Sequence, residues 1–283
     1  LERARATLEA AEESLRQSLF PNHPYRWDAA GSEESVKGIT RADLLDQYQR
    51  YVSRSNLAIS IFGDISVDEA RALAEKYLAT LPVGASRVTH TEAEPPALPA
   101  RVEKREPREQ AILLMGYPGF AARDARNDAV SVLQRALSGL SSDLGIEIRE
   151  KRGLVYFVGA FSLMALDPGF FAFYAGTRDD AIVEVEKLIN EQADRLAREG
   201  LREDEFRRAV EQLMAEQDMS LQNNMELAQG CAINELYGLG YRHALETRDR
   251  LARLTPADVQ KVAHQLIQAK QQAVVTVRPD AKK

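Results

Sequence analysis

Residues 154–176 have the sequence LVYFVGAFSLMALDPGFFAFYAG, and this stretch decides the fold. It is long and apolar enough for a membrane-spanning helix. However, Asp167-Pro168-Gly169 interrupts its middle with residues typical of a tight turn. Valine, phenylalanine and tyrosine, which strands favour, dominate both arms. The stretch therefore predicts a buried β-hairpin rather than a membrane helix.

Further strands and helices are predicted on both sides of this hairpin. Before it, the patterns predict strands at 101–106 and 110–117 and a helix at 123–137. After it, they predict helices at 181–199, 204–218 and 221–237, a helix that begins behind Thr255 with Pro256 in its first turn, and a strand at 273–277. This order predicts an α+β fold, a two-layer αβ sandwich whose sheet is mainly antiparallel and has helices on one face.

The first part of the chain has a similar but shorter pattern. A helix at 1–19 is followed by helices that begin at Thr40 and Ser66, each with an acidic residue three positions later, and by a β run at 56–62. Prolines and glycine then mark a linker. We predict the C-terminal part of a first αβ domain at 1–83, a linker at 84–100 and a complete second αβ domain at 101–283, that is, one truncated unit followed by one complete unit.

The truncation has a physical consequence. Because the chain opens with Leu1 inside a helical pattern, we expect it to be a fragment or a processed product. A first domain without its front should leave part of its sheet uncovered. We therefore expect self-association or poor solubility of that domain.

Composition indicates a soluble globular protein. The chain has 283 residues, 45% hydrophobic and 28% charged, with a net charge of −6. No long basic run is present, so we expect neither a nucleic-acid nor a membrane partner. The single cysteine, Cys231, excludes an internal disulfide and leaves the compartment, periplasmic or cytoplasmic, undecided.

Several segments, taken in order, resemble the pitrilysin/insulinase family of zinc peptidases over almost the whole chain. These segments are LFPNHPY (19–25), ITRADL (39–44), SNLAISIFGD (55–64), LSGLSSDL (137–144), IREKRGLVY (148–156) and DPGF (167–170). The resemblance implies the C-terminal portion of a bacterial-type subunit that forms half of a clamshell, built from two similar αβ domains.

The same resemblance implies roles for particular residues. In the family, an arginine and a tyrosine from one half contact the substrate backbone beside the bond that the zinc site of the other half cleaves. Arg149 and Tyr156 match this pair and are the candidate catalytic residues. The turn Ser138, Gly139, Leu140 and Ser141 matches the family's glycine-rich turn and is the candidate substrate-binding segment, although it has fewer glycines. Without the resemblance, Arg149 would be a solvated charge and Tyr156 a strand aromatic facing the core.

The zinc-binding signature of the family is absent from the sequence. H-x-x-E-H on a helix places two imidazoles on one face, but no two of the four histidines, at 23, 90, 243 and 264, are four residues apart. His243 and Glu246 are followed by Thr247 in place of the second histidine. We predict no metal in this chain, zinc in the complete protein or a partner subunit, and the histidines on the surface or in loops.

These observations predict a fragment of a metallopeptidase-like protein that supplies substrate-backbone contacts and is not active alone. Its expected partners are a peptide substrate and either a missing N-terminal segment or a zinc-bearing subunit, in a homo- or heterodimer. Two alternatives stay open at this point: a non-catalytic pairing or scaffold subunit of the same family, and a peptide-binding module.

Overall fold

The computed structural model describes residues 2–84, 94–139 and 142–280. Its helices are α1 (Glu2–Leu19), α2 (Glu33–Gly38), α3 (Arg41–Tyr51), α4 (Val67–Leu78), α5 (Asn127–Leu137), α6 (Ile182–Glu199), α7 (Glu203–Ser220), α8 (Asn224–Leu236), α9 (Thr247–Arg253) and α10 (Pro256–Leu266). Its strands are β1 (Ala100–Glu106), β2 (Ala111–Pro118), β3 (Val155–Leu163), β4 (Phe170–Thr177) and β5 (Ala273–Pro279).

The chain divides into two compact units that are not continuous in sequence. Unit 1 comprises Leu1–Trp27, Glu92–Met214 and Asp249–Lys283, and unit 2 comprises Asp28–Thr91 and Ala215–Arg248. A compact unit of this chain need not coincide with a domain of the complete protein. The boundaries expected from the sequence therefore stay a prediction.

Unit 1 is built on one five-stranded sheet with the order β1-β5-β2-β4-β3. Strand β1 runs parallel to β5, and the other neighbours are antiparallel. The predicted hairpin is present as β3 and β4, joined through the turn at Asp167-Pro168-Gly169. The sheet order leaves β1 and β3 at the two edges, and β3 carries Tyr156.

Both faces of the sheet are buried, and this explains the continuous apolar run of β2. Leu113 and Met115 lie in a core with apolar residues of α5, α6 and α10. Ile112 and Leu114, which alternate with them, lie in a second core with Leu15 of α1. The α+β fold with a mainly antiparallel sheet is confirmed. The structure adds that α1, which the sequence assigned to the first domain, packs on the opposite face of this sheet.

The segment after α1 is fastened to the β3–β4 turn by a buried histidine. His23 is 3% exposed, and its Nδ1 accepts a hydrogen bond from the backbone N–H of Tyr25 at 3.2 Å. The neutral ring therefore carries its proton on Nε2, which donates to Oδ2 of Asp167 at 3.1 Å. The backbone N–H of Asp167 donates to the Tyr25 hydroxyl at 3.1 Å. His23 lies in a loop, as predicted. The other predicted position, on the surface, is wrong for this histidine because its side chain is buried.

Unit 2 differs from its prediction at 56–62. Instead of a strand, the structure has a short 3₁₀ turn, Arg54–Asn56, followed by a non-strand segment with extended backbone at Leu57. Leu57, Ile59 and Ile61 alternate with less exposed residues and are themselves exposed. The period of two is that of a strand, but no other described segment pairs with it, and an unpaired strand is not a stable element. The predicted caps at Thr40 and Ser66 are both capping boxes.

The histidine contact yields a stability prediction. We expect His23→Ala to lower the free energy of unfolding by about 2–4 kcal/mol, because it removes two buried hydrogen bonds and leaves a cavity. Urea unfolding followed by circular dichroism measures the change. His264→Ala is the matched control, since His264 is exposed on α10 and its loss should change the free energy by at most about 0.5 kcal/mol. Equal effects of the two substitutions would contradict the role given to His23.

Unit 2 yields a second prediction, since many large apolar side chains between residues 36 and 77 are exposed. They include Val36, Ile39, Leu44, Leu45, Tyr48, Leu57, Ile59, Ile61, Val67, Leu73 and Tyr77. We expect the 283-residue chain to self-associate through this surface. Sedimentation velocity at increasing concentration should show a rising average mass, which Ile59→Lys together with Tyr77→Lys should reduce. A concentration-independent monomer would refute the expectation.

Candidate functional site

Arg149 lies in a π-helical turn, Gly145–Glu150, which precedes the edge strand β3. The turn is closed by a hydrogen bond from the Lys151 N–H to the Ile146 carbonyl at 2.9 Å, which spans five residues. Ile148 is buried in the core and anchors the turn, while the neighbouring Arg149 side chain is half-buried. Turns of this kind are rare and often occur at functional sites.

The chain leaves this turn through Gly153, which has a φ of +62°. This left-handed conformation favours glycine because it is strained for residues with a Cβ. The Gly153 N–H donates to the Arg149 carbonyl at 2.9 Å, and the Leu154 N–H donates to the Ile148 carbonyl at 3.1 Å. The backbone of Arg149 is therefore fixed directly before β3 begins.

Tyr156 is the additional residue of a β-bulge at the start of β3. Val155 pairs with Thr177 and Phe157 pairs with Gly176, so Tyr156 is left out of the ladder. Its side chain is 51% exposed. The alternative in which Tyr156 faces the core is therefore wrong. Bulges at sheet edges commonly redirect a side chain next to an active site.

Both candidate donors are available for a ligand. Within the described parts of the chain, neither the Arg149 guanidinium nor the Tyr156 phenol forms a hydrogen bond or an ion pair. The nearby charges are paired instead: Lys151 with Glu147, and Arg152 with Glu184 at 3.8 Å. Arg149 thus differs from Lys151 and Arg152, the other two basic residues of the charged run. The geometry gives the positions of the two donors and not their role.

The turn after α5 is held by its own hydroxyl groups. Ser138 Oγ donates to the Ala160 carbonyl of β3 at 3.0 Å and accepts from the Ala160 N–H at 3.4 Å. Gly139 has a φ of +90° and turns the chain. Ser142 Oγ donates to the Gly139 carbonyl at 2.7 Å and accepts from the Gly145 N–H at 3.0 Å. Of the predicted substrate-binding segment, Leu140 and Ser141 lie outside the described residues.

An ion-pair cluster ties this turn to α6 and α7. Arg202 contacts both carboxylate oxygens of Asp143, at 2.6 and 2.7 Å. Arg195 lies 3.3 Å from the carboxylate of Glu205, which is 2% exposed and also accepts from the Arg202 N–H at 2.7 Å. The hydrogen bonds from Arg202 lower the pKa of Asp143. Burial raises the pKa of Glu205, although the hydrogen bond from the Arg202 N–H and the charges of Arg195 and Arg202 act to lower it.

Sequence reasoning did not find this cluster. Asp143 and Arg202 are far apart in the sequence, so no spacing rule connects them. The only local signal is Glu205 three residues after Arg202, the spacing at which an acidic side chain caps a helix start.

In its sequence motifs and among its described residues, the chain shows no set of zinc ligands. Its sequence has no H-x-x-E-H, and the described residues contain no group of three or more His, Cys, Asp or Glu side chains arranged to hold a metal. His243 ends a short 3₁₀ helix, Tyr241–His243, rather than lying on a zinc-binding helix. Among the described helices, none has the length and apolar character needed to span a membrane.

Comparison with known families identifies the class of protein. The family model described as "Peptidase M16 inactive domain" matches residues 38–213. The chain belongs to the peptidase M16 family. This confirms the resemblance to the pitrilysin/insulinase peptidases, and the matched region includes Arg149, Tyr156 and the ion-pair cluster.

Two bacterial proteins are similar in sequence to this M16 chain. An uncharacterized zinc protease of Streptomyces coelicolor is 30% identical over 257 residues, which cover 88% of this chain and 56% of that protein. A second, from Mycobacterium leprae, is 28% identical over 267 residues, covering 91% of this chain and 59% of that protein. The chain thus spans less than two thirds of the length of these relatives.

A solved structure agrees with the fold. The crystal structure of a peptidase M16 inactive domain from Pseudomonas fluorescens has a TM-score of 0.89 to this chain at 23% identity. The match covers 97% of this chain and 66% of that one. At this identity the likeness supports the fold and not a particular activity.

The ion-pair cluster yields a prediction. We expect Arg202→Ala to raise the pKa of Asp143 towards its ordinary value and to lower the free energy of unfolding at neutral pH by about 1–2 kcal/mol, a modest value because Arg202 is half exposed. A carboxyl whose folded-state pKa is lowered contributes stability above its unfolded pKa and loses it as pH falls through the folded pKa. The difference between the proteins should therefore shrink in acid.

NMR titration of the Asp143 carboxyl and urea unfolding between pH 7 and pH 3 measure both effects. Arg208→Ala is the matched control, because Arg208 pairs only at 3.6 Å with Asp204 on its own helix. An Asp143 titration that is unchanged in Arg202→Ala would contradict the assignment.

Proposed function

We propose that this M16 chain holds the backbone of an extended peptide through Arg149 and Tyr156, beside a zinc site carried by another segment or subunit. The observation that carries the proposal is the position of two donors of different kinds, one on a fixed π-turn and one on a bulge of the adjoining edge strand, neither of which has a partner among the described residues. A purely structural role requires neither the exposure of Tyr156 nor a guanidinium of Arg149 that is unpaired within the described parts of the chain.

The chemistry of the two side chains suits the reaction. Attack on an amide carbonyl places negative charge on its oxygen, and a donor aimed at that oxygen stabilises the transition state. Tyrosine supplies one O–H, and arginine supplies a planar set of N–H donors. In the proposed arrangement one donor contacts the reacting carbonyl oxygen and the other an adjacent backbone acceptor. Recognition of backbone atoms accepts peptides of varied sequence.

The proposal assigns the metal to a different part of the assembly. The relatives are named zinc proteases and are longer than this chain, and this chain has no zinc signature. A zinc-bearing N-terminal segment or subunit is therefore the proposed partner, and the exposed apolar residues between 36 and 77 are its proposed docking region. In this proposal the chain alone binds peptide and does not hydrolyse it.

Peptide binding and turnover together test the proposal. We expect Arg149→Ala and Tyr156→Phe each to weaken binding of a fluorescent unstructured peptide to the chain by about tenfold. In an assembly that contains the zinc-bearing segment, each should lower kcat by about 100-fold or more, the cost of losing a donor to an oxyanion.

Two matched variants control for charge and for the loss of a phenol. Arg152→Ala removes an exposed arginine from the same charged run, and Tyr241→Phe removes an exposed tyrosine hydroxyl from unit 2. Neither should change binding or turnover by more than about twofold. Normal turnover in Tyr156→Phe would refute the catalytic contact.

A second function is favoured by the description of the matching family model, which names an inactive domain. In that case the chain is a pairing or scaffold subunit, and Arg149 and Tyr156 do not contact substrate. Binding of the zinc-bearing partner would then be retained while both substitutions leave peptide turnover unchanged. This outcome separates the two functions.

A further inference from the structure

Among the described strands, β3 has a partner on one side only. It pairs with β4, and as the last strand of the sheet it directs the N–H and C=O groups of alternate residues outward. The Ser138 hydroxyl hydrogen-bonds both the N–H and the C=O of Ala160. Ala160 is therefore one of the outward residues. By the alternation of an antiparallel ladder, Val158 and Ser162 are the neighbouring ones.

The second half of this edge is covered by α5. Ser162 Oγ donates a hydrogen bond to Gln134 Oε1 at 2.7 Å. Gln134 precedes Ser138 by four residues. Gln134 of α5 and Ser138, which follows the last residue of α5, therefore fasten the end of this helix to β3 at two points. Along β3, the first residue that takes part in these hydrogen bonds is Ala160. Tyr156 and Val158 lie in the earlier part of the edge.

A serine suits this position for a chemical reason. A hydroxyl donates one hydrogen bond and also accepts, so a single side chain satisfies both edge groups of one residue. A neighbouring strand would satisfy the same two groups. Ser138 thus occupies, at Ala160, the place that the backbone of an added strand would take.

We propose that Ser138 is a specificity-determining residue that limits how far a bound peptide pairs with β3. The inference rests on the proposed function and adds the register of the substrate. An extended peptide pairs with Val158 beside Tyr156, and its pairing stops before Ala160. The stop fixes which peptide carbonyl faces the Arg149 and Tyr156 donors, because the peptide cannot slide further along the edge.

A length series of peptides tests the stop. Fluorescent peptides of one extended sequence are lengthened stepwise at either end, and their Kd for the 283-residue chain is measured. In the unaltered chain, affinity should reach a plateau once Val158 is paired. Ser138→Ala releases the N–H and C=O groups of Ala160. The longer peptides should then bind this variant with a Kd about tenfold lower than the plateau value of the unaltered chain, as expected for one or two added hydrogen bonds.

Two variants and a second readout control the experiment. Ser138→Thr keeps a hydroxyl and should restore the plateau. Ser131→Ala removes a hydroxyl that donates to the Asn127 carbonyl within α5, and it should leave the plateau unchanged. Hydrogen exchange of the Ala160 amide should be slow in the unaltered chain with or without peptide. In Ser138→Ala it should be fast, and the longer peptides alone should slow it.

The outcomes separate this inference from the proposed function. If peptides bind and Ser138→Ala retains the plateau, or if the unaltered chain has no plateau, the stop is refuted while peptide binding stands. If peptides do not bind the chain at all, the proposed function is refuted and the stop with it.

Discussion

A strand at the edge of a sheet has hydrogen-bonding groups that no neighbouring strand satisfies, and this constraint organises the candidate site. Unpaired edges are prone to association with other chains. Here Gln134 of α5 covers the edge at Ser162, and Ser138 in the turn after α5 covers it at Ala160. The beginning of β3 is interrupted by the bulge at Tyr156. The candidate site therefore lies at the beginning of β3, before the part that α5 covers and at the bulge that interrupts the ladder.

The supports of the site are paired with one another, whereas its two donors have no partner among the described residues. At the β3–β4 turn, His23 and Asp167 fasten the hairpin to the segment after α1. At the other end, Arg202 holds Asp143 in the first turn of the segment that leads to Arg149. Local structure held at several points keeps side chains in place without ligand, which reduces the entropy that binding must overcome.

Local sequence patterns predicted the elements of unit 1 well. Asp167-Pro168-Gly169 was enough to place the hairpin, and Thr255 with Pro256 placed the start of α10. These signals act within a few residues of each other. The π-turn and the bulge escaped prediction because each depends on how a short segment packs against the finished sheet. The segment at 56–62 was predicted as a strand because its residues have the right period, but a strand also requires a partner that sequence periodicity does not supply.

The ion-pair cluster shows why the remainder of the site was beyond sequence reasoning. It contains two arginines and two carboxylates from three separate segments of the chain. Only the fold brings these opposite charges close together. The two carboxyl groups respond in opposite ways: Arg202 lowers the pKa of the partly exposed Asp143, and burial raises the pKa of Glu205. Glu205 is held both by its ion pair with Arg195 and by the hydrogen bond from the Arg202 N–H, which also caps α7. Glu205 thus orders the start of a helix and, through Arg202, the turn near Arg149. In the sequence, however, it looks like any other acidic residue in the first turn of a helix.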